Sequence, residues 1–247
     1  NSNLPSNNIY SIISDGYGGL WVASLEYLLH FDIDKRNFTI VDVDEDGHKL
    51  QQYNRLLFCD SKKRIWAGGE MGISVFNQVG TSLLPNTDFQ IASVLKQAFV
   101  NCFYETSSGY LWIGTRNGLF ALKESDKQFL QYTTENGLPS NVIYGILEDA
   151  YGRLWISTNQ GLSCLNSESG KFRNFTIMDG LQGNQFNAGA YCRKDNGYML
   201  FGGVNGITSF RPETLIDNPY APKPVINKLF VHNKEVLPDD ETGILKE

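Results

Sequence analysis

A tryptophan returns at Trp21, Trp66, Trp112 and Trp155, at spacings of 45, 46 and 43 residues, and Leu200 holds the same place 45 residues further on. The residues around each copy recur as well. An apolar side chain always precedes it: Leu20, Ile65, Leu111, Leu154, Met199. Three positions before it stand Gly18, Gly109, Gly152 and Gly197, with Lys63 departing. Six before it stand Asp15, Asp60 and Asp149, with Thr106 and Lys194 departing. Six after it come Gly72, Gly118, Gly161 and Gly206, with Tyr27 departing. Self-similarity at this period means that one supersecondary unit stacks on the next.

The best-preserved unit runs from Leu138 to Leu162 and beyond. Residues 142–147 are an apolar run of strand length. Asp149 to Gly152 reads as a tight turn, since Asp bonds its own backbone there and Gly accepts φ > 0. Residues 153–157 form a second strand carrying the Trp, Asn159-Gln160-Gly161 a hairpin turn, and 162–166 a third strand. Residues 171–177 alternate apolar with polar, as a half-exposed fourth strand does. Four antiparallel strands in ~45 residues make one propeller blade. The expected fold is therefore all-β, a β-propeller of five four-stranded blades at about 4–50, 51–94, 95–137, 138–180 and 181–216. No helical periodicity of useful length competes with it. The repeated Trp reads as the filler between neighbouring blades and not as a catalytic group.

Composition narrows the partners. Hydrophobic residues are 41% and aromatics 13%, with 24 Gly, as a turn-rich all-β chain requires. The net charge of −6 and the absence of a basic run argue against contact with nucleic acid or an anionic membrane surface. No stretch approaches the ~20 apolar residues of a membrane helix. No signal peptide is evident, and residue 1 falls inside a repeat, so the expectation is that the natural N-terminus lies upstream. Cys59, Cys102, Cys164 and Cys192 show no metal or disulfide spacing and read as buried thiols on strands.

The last repeat shows strands near 186–194, 198–203 and 206–210, with no evident fourth strand after Arg211-Pro212-Glu213-Thr214. Asn1 to Asn7 already match the lead-in of a blade's first strand, so none of them is expected to be left over to donate it. Open edges at both ends point to part of a longer propeller, or to a second chain covering them. Residues 217–224 read as a linker, with Pro219, Pro222 and Pro224 in or beside it. Residues 225–231 read as a strand, His232 to Glu235 as a turn and Val236-Leu237 as its return. This is the opening of a β-sandwich too short to fold alone.

The segment Asn136-Gly137-Leu138-Pro139-Ser140-Asn141 through Trp155-Ile156-Ser157-Thr158-Asn159 resembles the two-component regulator propeller repeat. Gly180 to Asn187, with Phe201-Gly202-Gly203-Val204-Asn205-Gly206, resembles that family's closing blade. Pro224 to Val236 resembles the start of the immunoglobulin-like three-tyrosine domain that follows it. The resemblance implies the periplasmic sensor region of a Bacteroidetes hybrid two-component histidine kinase anchored in the inner membrane. It implies the last five blades of a seven-bladed propeller. It also implies a homodimeric parent that senses oligosaccharides and controls polysaccharide-utilisation genes.

No catalytic constellation, metal site or cofactor motif is expected, and the fragment reads as non-enzymatic. His30, His48 and His232 are scattered, and no zinc helix or nucleophile elbow occurs. Asp42 to Gly47 opens like a calcium loop, but Tyr53 stands where the bidentate Glu belongs, so a solvated acidic loop is preferred. Asn37-Phe38-Thr39 and Asn174-Phe175-Thr176 are formal glycosylation sequons that repetition explains. One column differs in kind from the others: Tyr10, Arg55, Asn101, Tyr144 and Gly189, at the start of each innermost strand. Structural columns hold one residue type, whereas this one mixes aromatic and polar types suited to a sugar's faces and hydroxyls. Tyr10, Arg55, Asn101 and Tyr144, with Gln185 and Asn187, are the candidate ligand residues, and blade-to-blade packing is the competing explanation. The alternatives to a sensor are a protein-interaction propeller and a glycan-cleaving propeller.

Overall fold

The computed structural model describes residues 4–24, 27–41, 54–86, 94–95, 98–123, 128–215 and 228–236. It divides into two compact units, Asn1–Thr214 and Leu215–Glu247.

In the first unit each repeat forms its own antiparallel sheet, with strands in chain order from the inside outward. Blade 1 is β1 (Ile9–Ser14), β2 (Gly19–Ser24), β3 (Leu28–Asp32) and β4 (Asn37–Ile40). Blade 2 is β5 (Asn54–Cys59), β6 (Arg64–Gly69), β7 (Gly72–Val79) and β8 (Ser82–Pro85). Blade 3 is β9 (Val100–Glu105), β10 (Tyr110–Thr115), β11 (Gly118–Lys123) and β12 (Gln128–Tyr132). Blade 4 is β13 (Ile143–Glu148), β14 (Leu154–Thr158), β15 (Gly161–Asn166) and β16 (Lys171–Phe175). The fifth sheet holds only β17 (Phe186–Arg193), β18 (Met199–Gly203) and β19 (Gly206–Phe210) among the described residues. The expectation of five four-stranded blades is corrected there. Arg211-Pro212 ends the third strand, Pro212–Thr214 is a 3-10 turn, and proline has no N–H for a ladder. Successive inner strands touch one another, β1 with β5, β5 with β9, β9 with β13 and β13 with β17.

The core lies between blades. Trp66 of blade 2 packs among Phe103, Leu111, Ile113, Phe120 and Leu122 of blade 3. Trp112 packs among Ile143, Ile146, Leu154 and Ile156 of blade 4, and Trp155 against Phe186, Met199 and Phe201 of blade 5. Trp21 does the same with Leu57, Ile65 and Phe76 of blade 2. Trp21, Trp66 and Trp155 are at most 1% exposed. The Trp column is thus the inter-blade filler. Each blade leans so closely on the next that the second strand needs a small residue two positions beyond the Trp: Ala23, Gly68, Gly114, Ser157 and Gly202. A Cβ on Gly68 would lie 2.9 Å from the Phe103 ring, and one on Gly114 would strike Cys102 and Ile143.

In blades 2 and 4 the repeated Asp ties the first turn to its Trp. Asp60 Oδ2 accepts from Arg64 Nε at 2.6 Å and from the Trp66 indole N–H at 2.9 Å. Asp149 repeats this with Arg153 at 2.7 Å and Trp155 at 2.9 Å. Blade 3 has Thr106 at that position, and the buried Trp112 indole N–H has no partner. Blade 1 keeps Asp15, but Gly19 replaces the arginine and His30 Nε2 contacts Asp15 Oδ2 at 2.7 Å instead. The Trp21 indole N–H is orphaned as a result.

The links into blades 4 and 5 are a repeated module. Thr133 caps the 3-10 turn Thr134–Asn136, and Thr176 caps Ile177–Asp179, each closed by a left-handed glycine, Gly137 and Gly180. Asn141 Oδ1 accepts the Thr134 N–H and its carbonyl accepts the Gly118 N–H, both at 2.8 Å. Asn184 does the same for Ile177 and Gly161.

In the second unit, β20 (Leu229–Val231) and β21 (Lys234–Val236) form a hairpin. Its turn is tighter than expected: His232 and Asn233 alone connect the strands, with φ of 47° and 61°. Positive φ at both central residues is what a two-residue hairpin turn requires. Residues 225–227 and the acidic loop at 42–47 lie outside the described residues.

Candidate functional site

In each four-stranded blade the innermost strand falls out of step with its neighbour by one residue. The paired positions are Ile9 and Ser11 in blade 1, Asn54 and Leu56 in blade 2, Val100 and Cys102 in blade 3, and Ile143 and Gly145 in blade 4. The residue skipped each time is Tyr10, Arg55, Asn101 or Tyr144. The heterogeneous column is therefore a column of β-bulges. A bulge leaves its extra residue outside the ladder and re-aims the side chain, which frees that position from the alternation of the regular strand. In blade 5 the irregularity widens to residues 187–190, between the pairs Phe186–Gly203 and Tyr191–Phe201.

The bulges sit at the strand end that also carries the turns between second and third strands. Those turns add a second mixed column, four positions beyond the Trp: Glu70, Arg116, Asn159 and Val204. Arg55 and Glu70 meet at 2.6 Å, with the two side chains 40% and 39% exposed. The Arg55 guanidinium lies 5.0 Å from the Tyr10 ring centre and 6.0 Å from that of Phe99, just before β9. The Arg116 guanidinium lies over the same Phe99 ring, 3.7 Å from its centre, and the Arg116 backbone N–H donates to the Phe99 carbonyl at 3.0 Å. The Arg55 Nε and Asn159 Oδ1 atoms are buried without hydrogen-bond partners.

The six expected residues do not form one cluster. Tyr10 and Arg55 are in contact. Asn101 instead donates to the Ile143 carbonyl of blade 4 at 2.8 Å, and Tyr144 packs against the core shared with blade 5. Gln185 and Asn187 are exposed on blade 5, and no hydrogen bond or ring contact joins them to the other four among the described residues. Glu70, Phe99, Arg116 and Asn159 were not anticipated. The turn column was legible at fixed spacing from the Trp, but only the fold reveals that it lies beside the bulges.

The opposite end of the blades is built differently. Ser61 N and Oγ both bond the Glu105 carboxylate at 2.7 Å, and Ser107 bonds Glu148 at 3.0 and 3.1 Å. These latches join blade 2 to 3 and blade 3 to 4. Beside them lie clefts of about 260 and 470 Å³.

The expectation of buried thiols is corrected in part: Cys102 and Cys164 are buried, Cys59 is half-buried and Cys192 is exposed. Burial pushes the Cys102 thiol up to about 12. Among the described residues no group of three or more His, Cys, Asp or Glu is placed to hold a metal ion.

Three segments, residues 3–26, 95–117 and 137–160, match the family described as two component regulator propeller. The chain is 28% identical over 225 residues to histidine kinase P4 of Formosa agariphila, covering 88% of this chain and 16% of that protein. Its fold resembles the extracellular domain assigned to the hybrid two component system BT3049 of B. thetaiotaomicron, with a TM-score of 0.73 and 20% identity, over 94% of this chain and 33% of that one. It also resembles virginiamycin B lyase from Staphylococcus aureus, with a TM-score of 0.55 and 15% identity, over 87% and 73% of the two chains. No helix among the described residues is long and apolar enough to cross a membrane. Three of its segments thus match two-component regulator propeller repeats, and its sheets are laid out as consecutive blades of a β-propeller.

Proposed function

We propose that this chain is part of the periplasmic sensing region of a hybrid two-component histidine kinase, and that its bulge face meets an oligosaccharide. The supporting observation is the bulge column, where four blades place Tyr10, Arg55, Asn101 and Tyr144 outside the ladder at the same strand end. The two-component regulator repeats and the kinase relative support the sensor context. The parent would be anchored in the inner membrane, act as a homodimer and control polysaccharide-utilisation genes. A ligand can drive such a switch only by binding one arrangement of the parent better than the other.

The test is a thermal-shift screen of this chain and of the complete periplasmic region against plant and host oligosaccharides. A ligand bound by the native state alone raises the melting temperature with its concentration. A selective, saturable shift without cleavage products supports sensing. Appearance of cleavage products would convert the reading to a glycan-cleaving propeller. No shift across the panel would leave the face to a protein partner.

A further inference from the structure

We infer that the part of this face formed by blades 2 and 3 takes the acid group of an anionic sugar, a uronate carboxylate or a sulfate, between Arg116 and Arg55. The inference rests on the oligosaccharide reading above and names the class of sugar.

Three observations carry it. First, a chain of net charge −6 places two arginines on a single phenyl ring, Arg116 at 3.7 Å and Arg55 at 6.0 Å from the centre of Phe99. Like charges brought together without compensation cost free energy, and Glu70 answers only one of them. Second, the donors are unspent. A guanidinium stacked on a ring keeps its edge N–H groups for an acceptor in its own plane. Among the described residues the exposed Arg116 guanidinium has no hydrogen-bond acceptor, and the Arg55 Nε is buried with none. Third, the turn is braced: the Arg116 backbone N–H donates to the Phe99 carbonyl and fixes the turn to the ring. A carboxylate or sulfate accepts the two-pronged donation that arginine offers, and such charge-assisted bonds are the strong ones. Tyr10, 43% exposed and 5.0 Å from Arg55, supplies the aromatic face for the sugar ring itself.

The experiment is calorimetric titration of the chain with trigalacturonate, its methyl ester, a sulfated heparin disaccharide, neutral xylotriose and sodium sulfate. Binding of either acidic saccharide is expected at least ~10-fold tighter than that of the methyl ester or xylotriose, a difference of about 1.4 kcal/mol. It should weaken with added salt, since the site is partly exposed. Arg116→Gln should weaken acid binding about tenfold, consistent with loss of a charged hydrogen bond. Glu70→Gln should tighten it, because it removes the competing carboxylate, and this gain keeps the test decisive even where an arginine variant folds poorly. Preference for trigalacturonate or for the sulfated disaccharide identifies which acid is recognised. If xylotriose or the ester binds as well as the acid, or if Glu70→Gln leaves acid affinity unchanged, the inference falls while the oligosaccharide reading stands. Sulfate alone binding as tightly as the sulfated disaccharide removes the sugar from the inference. If no saccharide binds, both readings fall together.

Discussion

At the residue scale, the four tryptophans look interchangeable in the sequence and are not so in the fold. All four are buried, yet only Trp66 and Trp155 donate to an aspartate. Replacing Trp155 with Phe should therefore cost about 1 kcal/mol more than the same change at Trp112, the value of the lost hydrogen bond. Urea unfolding of the two variants measures this, and equal losses would mean that the Asp149 contact contributes nothing. The Asp15–His30 pair makes a second prediction. Burial alone would raise the Asp15 carboxyl, but the His30 bond and the backbone N–H groups of Tyr17 and Gly19 outweigh it and hold the pKa below the ordinary 3.8. A carboxylate with a lowered native pKa contributes stability that is complete above its unfolded value and fades as pH falls through the native one. From about pH 5 to about pH 2 the wild type should lose stability that Asp15→Asn does not, because the variant no longer has this proton to take up. Parallel curves for the two proteins would contradict it.

At the element scale, the glycine six positions after the Trp closes the turn into the third strand. Gly161 has φ of 119°, its N–H reaches the Asn184 carbonyl, and an added Cβ would strike the Phe175 carbonyl. Both the backbone strain and the clash oppose any side chain. Gly161→Ala should cost about 2 kcal/mol, and a calorimetric scan should show a melting temperature lower by roughly 4–8 °C. Gly80→Ala, with φ of 59° and open space around its Cβ position, should cost clearly less. A larger drop at Gly80 than at Gly161 would contradict both the strain and the clash assigned to Gly161. Blade 1 escapes the requirement with Tyr27, whose N–H bonds Ser24 Oγ at 3.0 Å.

At the scale of the whole molecule, the core is a series of inter-blade layers, so protection of a buried group depends on neighbouring sheets staying together. The cysteines report this. Thiols react as thiolates, and burial suppresses both access and ionisation. In the native chain, alkylation should modify Cys192 first and Cys59 more slowly. Cys102, enclosed between blades 3 and 4 and held at about 12, should react only on unfolding. Mass spectrometry after timed labelling reads this order. Early modification of Cys102 would mean that the blade 3–4 interface opens on its own.

The sequence by itself determined the repeat, its strands and the role of the Trp. Each of these is local or periodic: alternation, turn residues and a fixed spacing survive in one dimension. It also marked the column Tyr10, Arg55, Asn101 and Tyr144 as unlike its neighbours. Only the tertiary structure decided why, since a bulge is a property of two strands in register and not of one strand's residues. The same holds for Phe99, Glu70 and Arg116. They lie in a link and in two separate turns, and nothing in their order along the chain announces that Arg55, held by Glu70, and Arg116 meet at the Phe99 ring. The hairpin at His232-Asn233 and the capped turns at Thr133 and Thr176 fall between these cases. Their residue types fit, but positive φ and the docking of Asn141 on Gly118 depend on what the neighbouring strands require. Spacing along a chain fixes which side chains repeat, whereas contact across sheets fixes which of them meet.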